Sequence, residues 1–248
     1  MADFPTFNTA DELRERGFVM RDPPVNILAY DPAGDGRDND AILLLSREEH
    51  RRGELWDPDL AVEFIFRILA AHRMPPGLEF PDKLARILRL NAHMHKWTKQ
   101  GRAHSHVICV ETNGVGWGMA SSLKTKVSVP VIPYVTVARA DEKVFIEGKV
   151  SMPRLAALDN LRVQLELHRV KAAKDAQGIK ELGQELNSFV WVRKGRPEAI
   201  QGQTDDLVMA LAGGVWIGTK LLPPVTKQQK VGNRAPTHGT RTGNMRVQ

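Results

Sequence analysis

A single cysteine, Cys109, is all the thiol chemistry available to this chain of 248 residues. One thiol excludes an internal disulfide and argues against a cysteine-rich zinc module; the expected compartment is a reducing, intracellular one. Long apolar runs are scarce as well. The longest, Leu207 to Gly218, is too short to span a bilayer. The opening MADFPTFNTADELRERGF lacks the apolar stretch of a secretory signal. No segment has the G-x-x-x-x-G-K-S/T spacing of a phosphate loop, so an ATPase motor of that type is missing.

Acids are absent from one end of the chain. None follows Asp206, whereas Lys220, Lys227, Lys230, Arg234, Arg241 and Arg246 all do. These are six of the 35 bases, so positions 1–219 hold 29 bases against 29 acids. The formal net charge of +6 and the isoelectric point near 9.5 therefore come from the tail. A basic tail suits a polyanionic or acidic partner, although a merely solvated end has the same charge. What remains is ordinary for a globular protein: 42% of residues are apolar and 26% charged. Wholesale disorder is excluded, and the length suffices for one large α/β domain or at most two small ones.

Residues 1–24 read as a lead-in, amphipathic around Ala10–Arg16 and stopped by Asp22-Pro23-Pro24. VNILAYD (25–31) is an apolar strand that ends in an acid; PAGDGRDND turns the chain, and AILLLS (41–46) begins the second strand of a hairpin. WDPDLAVEFIFRILAAHRM (56–74) reads as a helix entered at Pro58 or Asp59. PDKLARILRLNAHMHKWTKQ (81–100) reads as another, with apolar residues at helical spacing behind Pro81. HVICVE (106–111) is a short strand, and NGVGWG leads into a helix at Met119–Leu123. Residues 129–150 read as strand, turn and strand, with Pro130 and Pro133 arguing against a central place in a sheet. Helices follow over 153–168 and 178–189, then a short strand VWVR, then a helix from Asp205-Asp206 to about Leu221. The expected fold class is α/β, a mixed β-sheet flanked by helices over residues 25–222. Residues 223–248 are expected to be a disordered basic tail.

Three acidic positions share one local setting. Asp31 and Glu111 end strands that are otherwise apolar, and Asp205 and Asp206 head a helix whose next residues look buried. An acid at the end of a core strand is costly unless it is solvated, paired or bound to a cation. Ligands of open α/β sheets bind at the carboxyl ends of strands. Should the strands of Asp31 and Glu111 be neighbours, their carboxylates fall within one metal site. No lysine or arginine lies within three residues of Glu111. A hard divalent ion, Mg²⁺ or Mn²⁺, is then the natural counter-charge for an oxygen-only set. Two such ions, roughly 3.5–4 Å apart, suit phosphodiester hydrolysis: one activates water for in-line attack, the other stabilises the leaving 3′ oxygen. The dipole of the helix at Asp205-Asp206 also favours negative charge there. Singly, each acid has a plainer reading: Asp31 as a turn former, Asp205 as an N-cap, Glu111 as an exposed carboxylate. Their conjunction favours a site.

YDPAGDGRDNDAILL, VICVETNGVGWGMASSL and GQTDDLVMALAGGVWI, in that order, resemble the three active-site motifs of one nuclease family. It is the nuclease domain of tailed-bacteriophage large terminase subunits, and the resemblance spans roughly residues 25–218. The third motif is the most specific piece; the first is general among ribonuclease H-like enzymes. The resemblance implies a ribonuclease H-like fold and a Mg²⁺- or Mn²⁺-dependent two-metal endonuclease. Its substrate would be double-stranded viral DNA, cut with little sequence preference during genome packaging in the cytoplasm of an infected bacterium. Carried over by position, Asp31, Glu111 and Asp206 become the catalytic, metal-binding acids, with Asp205 as an auxiliary. Met209 stands where many relatives have a further acid, for which Asp38 or Asp40 would substitute. Lys149, ahead of Arg154, is similar to a lysine near the family's catalytic centre. The hairpin around Arg139–Glu147 falls where relatives present one to DNA. Lys124, Lys126, Arg139, Lys143, Lys149 and the tail are the candidate phosphate contacts. Full terminases begin with an ATPase motor, so the chain is expected to be either an excised nuclease domain, the favoured reading, or one whose ATPase is a separate chain. Its expected partners are double-stranded DNA, that ATPase domain, the portal protein and the small terminase subunit, with no membrane.

Other signals are weaker. Gly114, Gly116 and Gly118 follow a strand, but their G-x-G-x-G spacing is not the dinucleotide fingerprint; they read as a tight turn that passes close to a phosphate. His93, His95, His104 and His106 argue poorly for zinc, since the first pair lies two apart on a helix and does not face inward together. Trp97, Trp117 and Trp191 are read as core or partly buried, and Cys109 as inert core. Two other functions stay open: an actin- or sugar-kinase-like ATP phosphotransferase, which would need a second domain, and a non-catalytic DNA- or capsid-binding module.

Overall fold

Apolar strands without polar alternation need cover on both faces, and the helices of this chain supply it. The structure, a computed structural model, describes residues 19–20, 23–33, 39–52, 61–138, 150–191, 197–199 and 204–222. Its elements begin with Val19–Met20 (β1), Val25–Asp31 (β2), Ala41–Arg52 (β3), Ala61–Arg73 (β4) and Phe80–Lys99 (α1). Ser105–Glu111 (β5), Gly116–Lys126 (α2), Val131–Val137 (β6), Val150–Pro153 (β7) and Arg154–Glu166 (α3) follow. Val170–Gln177 (β8), Ile179–Ser188 (α4), Phe189–Trp191 (β9), Pro197–Ala199 (β10) and Asp206–Lys220 (α5) complete the order.

One sheet runs β7-β6-β5-β2-β3-β4-β8, with β1 paired to the far end of β3 in line with β2. β9 and β10 form a separate antiparallel pair. β2, β3 and β4 are antiparallel to one another in sequence. β5 then returns beside β2 in parallel, β6 and β7 follow outward in parallel, and β8 runs parallel to β4. This is the expected α/β class, a mixed sheet flanked by helices.

Alternation along the strands builds two cores. Ile27, Ala29, Leu43, Val107 and Cys109 point to the side covered by α3, α4 and α5. Leu28, Tyr30, Ile42, Ile108 and Val110 point to the side covered by α1 and α2. α5 is apolar all round because it is enclosed: every residue from Leu207 to Gly218 is buried. Burial of each of its large aliphatic side chains is worth roughly 1.5–3 kcal/mol, so this helix is held hard against the sheet. Buried Arg47 of β3 holds its C-terminal end: Nη1 donates to Gly218 O of the last turn at 2.8 Å and to Leu222 O just beyond the helix at 2.7 Å. Burial brings that guanidinium down to about 10.

Three expectations need correction. Where a helix is expected over 56–74, the described residues Ala61 to Arg73 form β4, paired along β3 on one side and with β8 on the other. Cover on both faces hides the period of two, while Val62, Phe64, Ile65, Phe66 and Ile68 are the β-branched and aromatic types that suit a pleated surface. VKAAKDAQ, which carries no strand pattern, is nonetheless β8. Pro133 lies in β6, which has neighbours on both sides. The carbonyls of Pro130 and Tyr134 face β5, accepting from the amides of Ile108 (3.0 Å) and Thr112 (2.7 Å). Pro133 therefore faces the β7 side, where pairing starts only at Tyr134, and its missing N–H leaves no gap in the ladder. β6 and β7 are parallel, so they are not the two arms of a hairpin. The stretch from Arg139 to Lys149, with the expected DNA-facing hairpin, lies outside the described residues, as do most of 1–24 and all of 223–248.

Candidate metal centre

The two strand-end acids are neighbours. β2 and β5 pair in parallel with Tyr30 opposite Val110, so Asp31 and Glu111 stand side by side at the carboxyl edge of the sheet, on strands about 4.8 Å apart. Asp31 follows Ala29 by two residues and Glu111 follows Cys109 by two, so both share the face on which α5 packs. The side chains touch: Asp31, in its protonated form, donates a hydrogen bond to Glu111. Burial chiefly, then that hydrogen bond and the charges of Glu111, Asp206 and Asp205, hold the Asp31 carboxyl well above the usual range. All four acids are half-buried, so the cluster opens to solvent.

Local backbone geometry sets up this edge. After Glu111 the chain reverses through Gly114, whose φ of +63° favours glycine, and enters α2 at Gly116. A Cβ on Gly116 would lie 1.8 Å from the Glu111 carbonyl oxygen and 2.8 Å from Pro32 Cγ, so only glycine passes between the two strand ends. Asn113 Nδ2 donates to Glu111 Oε1 at 3.0 Å and to Thr136 O at 3.2 Å, tying the acid to β6. The glycine turn thus serves to pack the two acid-bearing ends together.

α5 begins over the same face. Asp205 occupies its N-cap and Asp206 its first turn. Asp205 Oδ2 accepts from Arg154 Nη2 at 2.7 Å, at the start of α3. Met209 is buried in the core and offers no oxygen. Asp40 is no substitute for an acid there. Its Oδ2 accepts from Tyr30 Oη at 2.5 Å, and its Oδ1 from the Ala33 amide (3.0 Å) and Lys83 Nζ (2.9 Å), which holds it against the opposite face of the sheet. Asp38 lies outside the described residues.

Oxygen-only donors in a half-buried setting fit a hard divalent cation. Among the described residues, no three His, Cys, Asp or Glu side chains are drawn close enough to be a ready-made cage. The tight element is the Asp31–Glu111 pair, with the aspartates of α5 within electrostatic reach.

The remaining predicted positions sit elsewhere. Lys124 and Lys126 are exposed in the last turn of α2, which starts at the acids and runs away from them for 11 residues, or about 16 Å. Lys143, Lys149 and Arg139 lie outside the described residues. His106 is buried, its ring sharing hydrogen bonds with Asn91 Oδ1 (3.0 Å) and Thr98 Oγ1 (3.3 Å). Trp117 is 42% exposed, whereas Trp97 packs on the α1 side of the core. Cys109 is fully buried, and burial pushes its thiol up.

Sequence reading misses Arg73, Glu185 and Thr204. Glu185 of α4 is buried and accepts from Arg73 Nη2, from Thr204 Oγ1 (3.2 Å) and from the Val208 amide (3.1 Å). Its one sequence signal is position: it lies three residues after the buried Leu182, on the inward face of a helix.

No family model and no curated protein matches the chain. Among solved structures it is similar to the human cytomegalovirus terminase nuclease domain. The Mn-soaked form is 14% identical, covering 87% of this chain and 90% of that one, with a TM-score of 0.47. The Mn-soaked, inhibitor-bound form is 14% identical over 84% and 93%, with a TM-score of 0.49. A third structure of that domain is 12% identical over 86% and 94%, with a TM-score of 0.47. At such identities and scores the likeness is one of fold and carries no argument about chemistry.

Proposed function

We propose that this chain is a divalent-metal-dependent endonuclease that cuts double-stranded viral DNA during genome packaging, of the kind found in tailed-phage terminases. The observation that carries this reading is the contact between the carboxyls of Asp31 and Glu111, side by side at one sheet edge beneath the helix that Asp205-Asp206 opens. Asp31, Glu111 and Asp206 would hold one or two Mg²⁺ or Mn²⁺ ions, with Asp205 as auxiliary. Bound there, the ions supply Lewis acidity for phosphodiester hydrolysis. Asn113 orients Glu111, and Arg154 balances Asp205 while offering positive charge at the rim to an approaching phosphate. The sequence carries no recognisable base-reading motif such as a zinc finger, which fits cutting with little sequence preference. The ATPase domain, portal protein and small terminase subunit are the partners this reading implies.

Nicking of supercoiled plasmid with Mn²⁺ tests it. Wild-type protein is expected to nick, and Asp31→Ala and Glu111→Gln to abolish nicking while remaining folded. Cleavage that survives Asp31→Ala rejects the site. ATP turnover without DNA cleavage favours the phosphotransferase reading, and inactivity with every divalent metal favours a binding module.

A further inference from the structure

An aspartate at a helix N-cap ordinarily accepts a hydrogen bond from the amide of the second or third helical residue. Asp205 is the N-cap of α5 and makes no such bond. The third amide, that of Val208, donates instead to Glu185 Oε2 at 3.1 Å. Asp205 is thereby left to Arg154, and its charge acts on Asp31. Glu185 is itself anchored. Its Oε1 accepts from Arg73 Nη2 and Thr204 Oγ1, and Arg73 Nη2 also donates to Thr204 Oγ1 at 2.6 Å. Arg73 ends β4, and the register Asp31–Ala41–Arg73 places it in the same row of the sheet as Asp31. Following Ala71 by two, it also shares the α5 face. The first turn of α5 is therefore tied to the row that carries the strand-end acid.

We propose that Glu185 is a positioning residue: it caps α5 in place of Asp205, and so keeps Asp205 turned toward the acid cluster with Asp206 held over it. The proposal rests on reading those acids as a metal site. Without Glu185, Asp205 turns back to cap its own helix and leaves the cluster.

Manganese titration of the full chain, by calorimetry in the absence of DNA, tests this. Glu185→Ala is expected to weaken Mn²⁺ binding on the order of tenfold, the usual effect of losing an outer partner of a metal ligand. Glu185→Gln, which still accepts from the Val208 amide, is expected to bind within about threefold of wild type. Combined with Asp205→Asn, Glu185→Ala should add no further loss, because both act through the same carboxylate. If Glu185→Ala fails to fold, Arg73→Met with Glu185→Met removes the acceptor without stranding the arginine, and the same non-additivity is expected. Additive losses, or unchanged Mn²⁺ affinity in a folded variant lacking the acceptor, overturn the proposal. Asp31→Asn separates the two readings. If it leaves Mn²⁺ binding intact, the metal site itself fails and the proposal falls with it; if it abolishes binding while the Glu185 variants do not matter, only the positioning role fails.

Discussion

Two carboxyls in hydrogen-bonding contact at the end of buried strands cannot both ionise cheaply, and Asp31 bears that cost. Its folded pKa lies above the unfolded value, so between the two the native state holds the extra proton. Stability then falls as pH rises from about 4 through that window. In EDTA, the urea midpoint of the wild-type protein is expected to be lower at pH 7.5 than at pH 5. Asp31→Asn, uncharged throughout, should flatten the decline and be the more stable of the two at pH 7.5. Mn²⁺ should restore the wild type at pH 7.5, as a ligand of the native state. Equal pH slopes for the two proteins would contradict this account. The acids themselves are legible in the sequence, because apolar runs that end abruptly on a carboxylate mark the mouth of a sheet. Asp40 is not. Its neighbours in the loop are equally acidic, and only the pairing of Tyr30 with the opposite face decides where it goes.

Spacing and flanking turns mark most of the elements, and β4 and β8 are the exceptions. α1, with a polar outer face, is plain from its spacing, and the β2–β3 hairpin from its turn. β4 reads as a helix because cover on both sides erases its alternation, and β8 escapes notice because its pairing with β4 is imposed from outside. The start of α2 offers a sharp test of local packing. At Gly116 an added Cβ meets backbone at 1.8 Å, which cannot yield, whereas at Gly118 the nearest atom is Phe80 Cε2 at 3.8 Å. Gly116→Ala is expected to destabilise by about 1–3 kcal/mol, as overpacking does. Gly118→Ala is expected to be neutral or to stabilise by up to about 1 kcal/mol, through helix propensity. Urea unfolding of both variants checks this; equal effects would mean that the strand ends do not constrain the turn.

At the scale of the molecule, the sheet gathers into one edge residues that the chain keeps far apart, which no local pattern reveals. The described fold closes at Leu222, whose carbonyl Arg47 still holds. Beyond it lie 26 residues without an acid and without a periodic apolar face, including Lys227, Lys230, Arg234, Arg241 and Arg246. Deleting residues 223–248 is expected to shift the melting temperature by less than about 2 °C. It should weaken DNA binding and make the affinity less sensitive to salt, by roughly 0.9 in log–log slope for each phosphate that the tail neutralises. A large thermal shift, or an unchanged salt slope, would count against a polyanion-facing tail.

Asp31 and Glu111 are brought together only by the parallel seam between β2 and β5, across 80 positions of chain. On the proposed reading, a copy in which that seam has not closed, whether still emerging from the ribosome or transiently opened, has no cutting centre at all. Hydrolytic danger to the DNA around it is thus coupled to completed folding, a safeguard that needs no separate inhibitor.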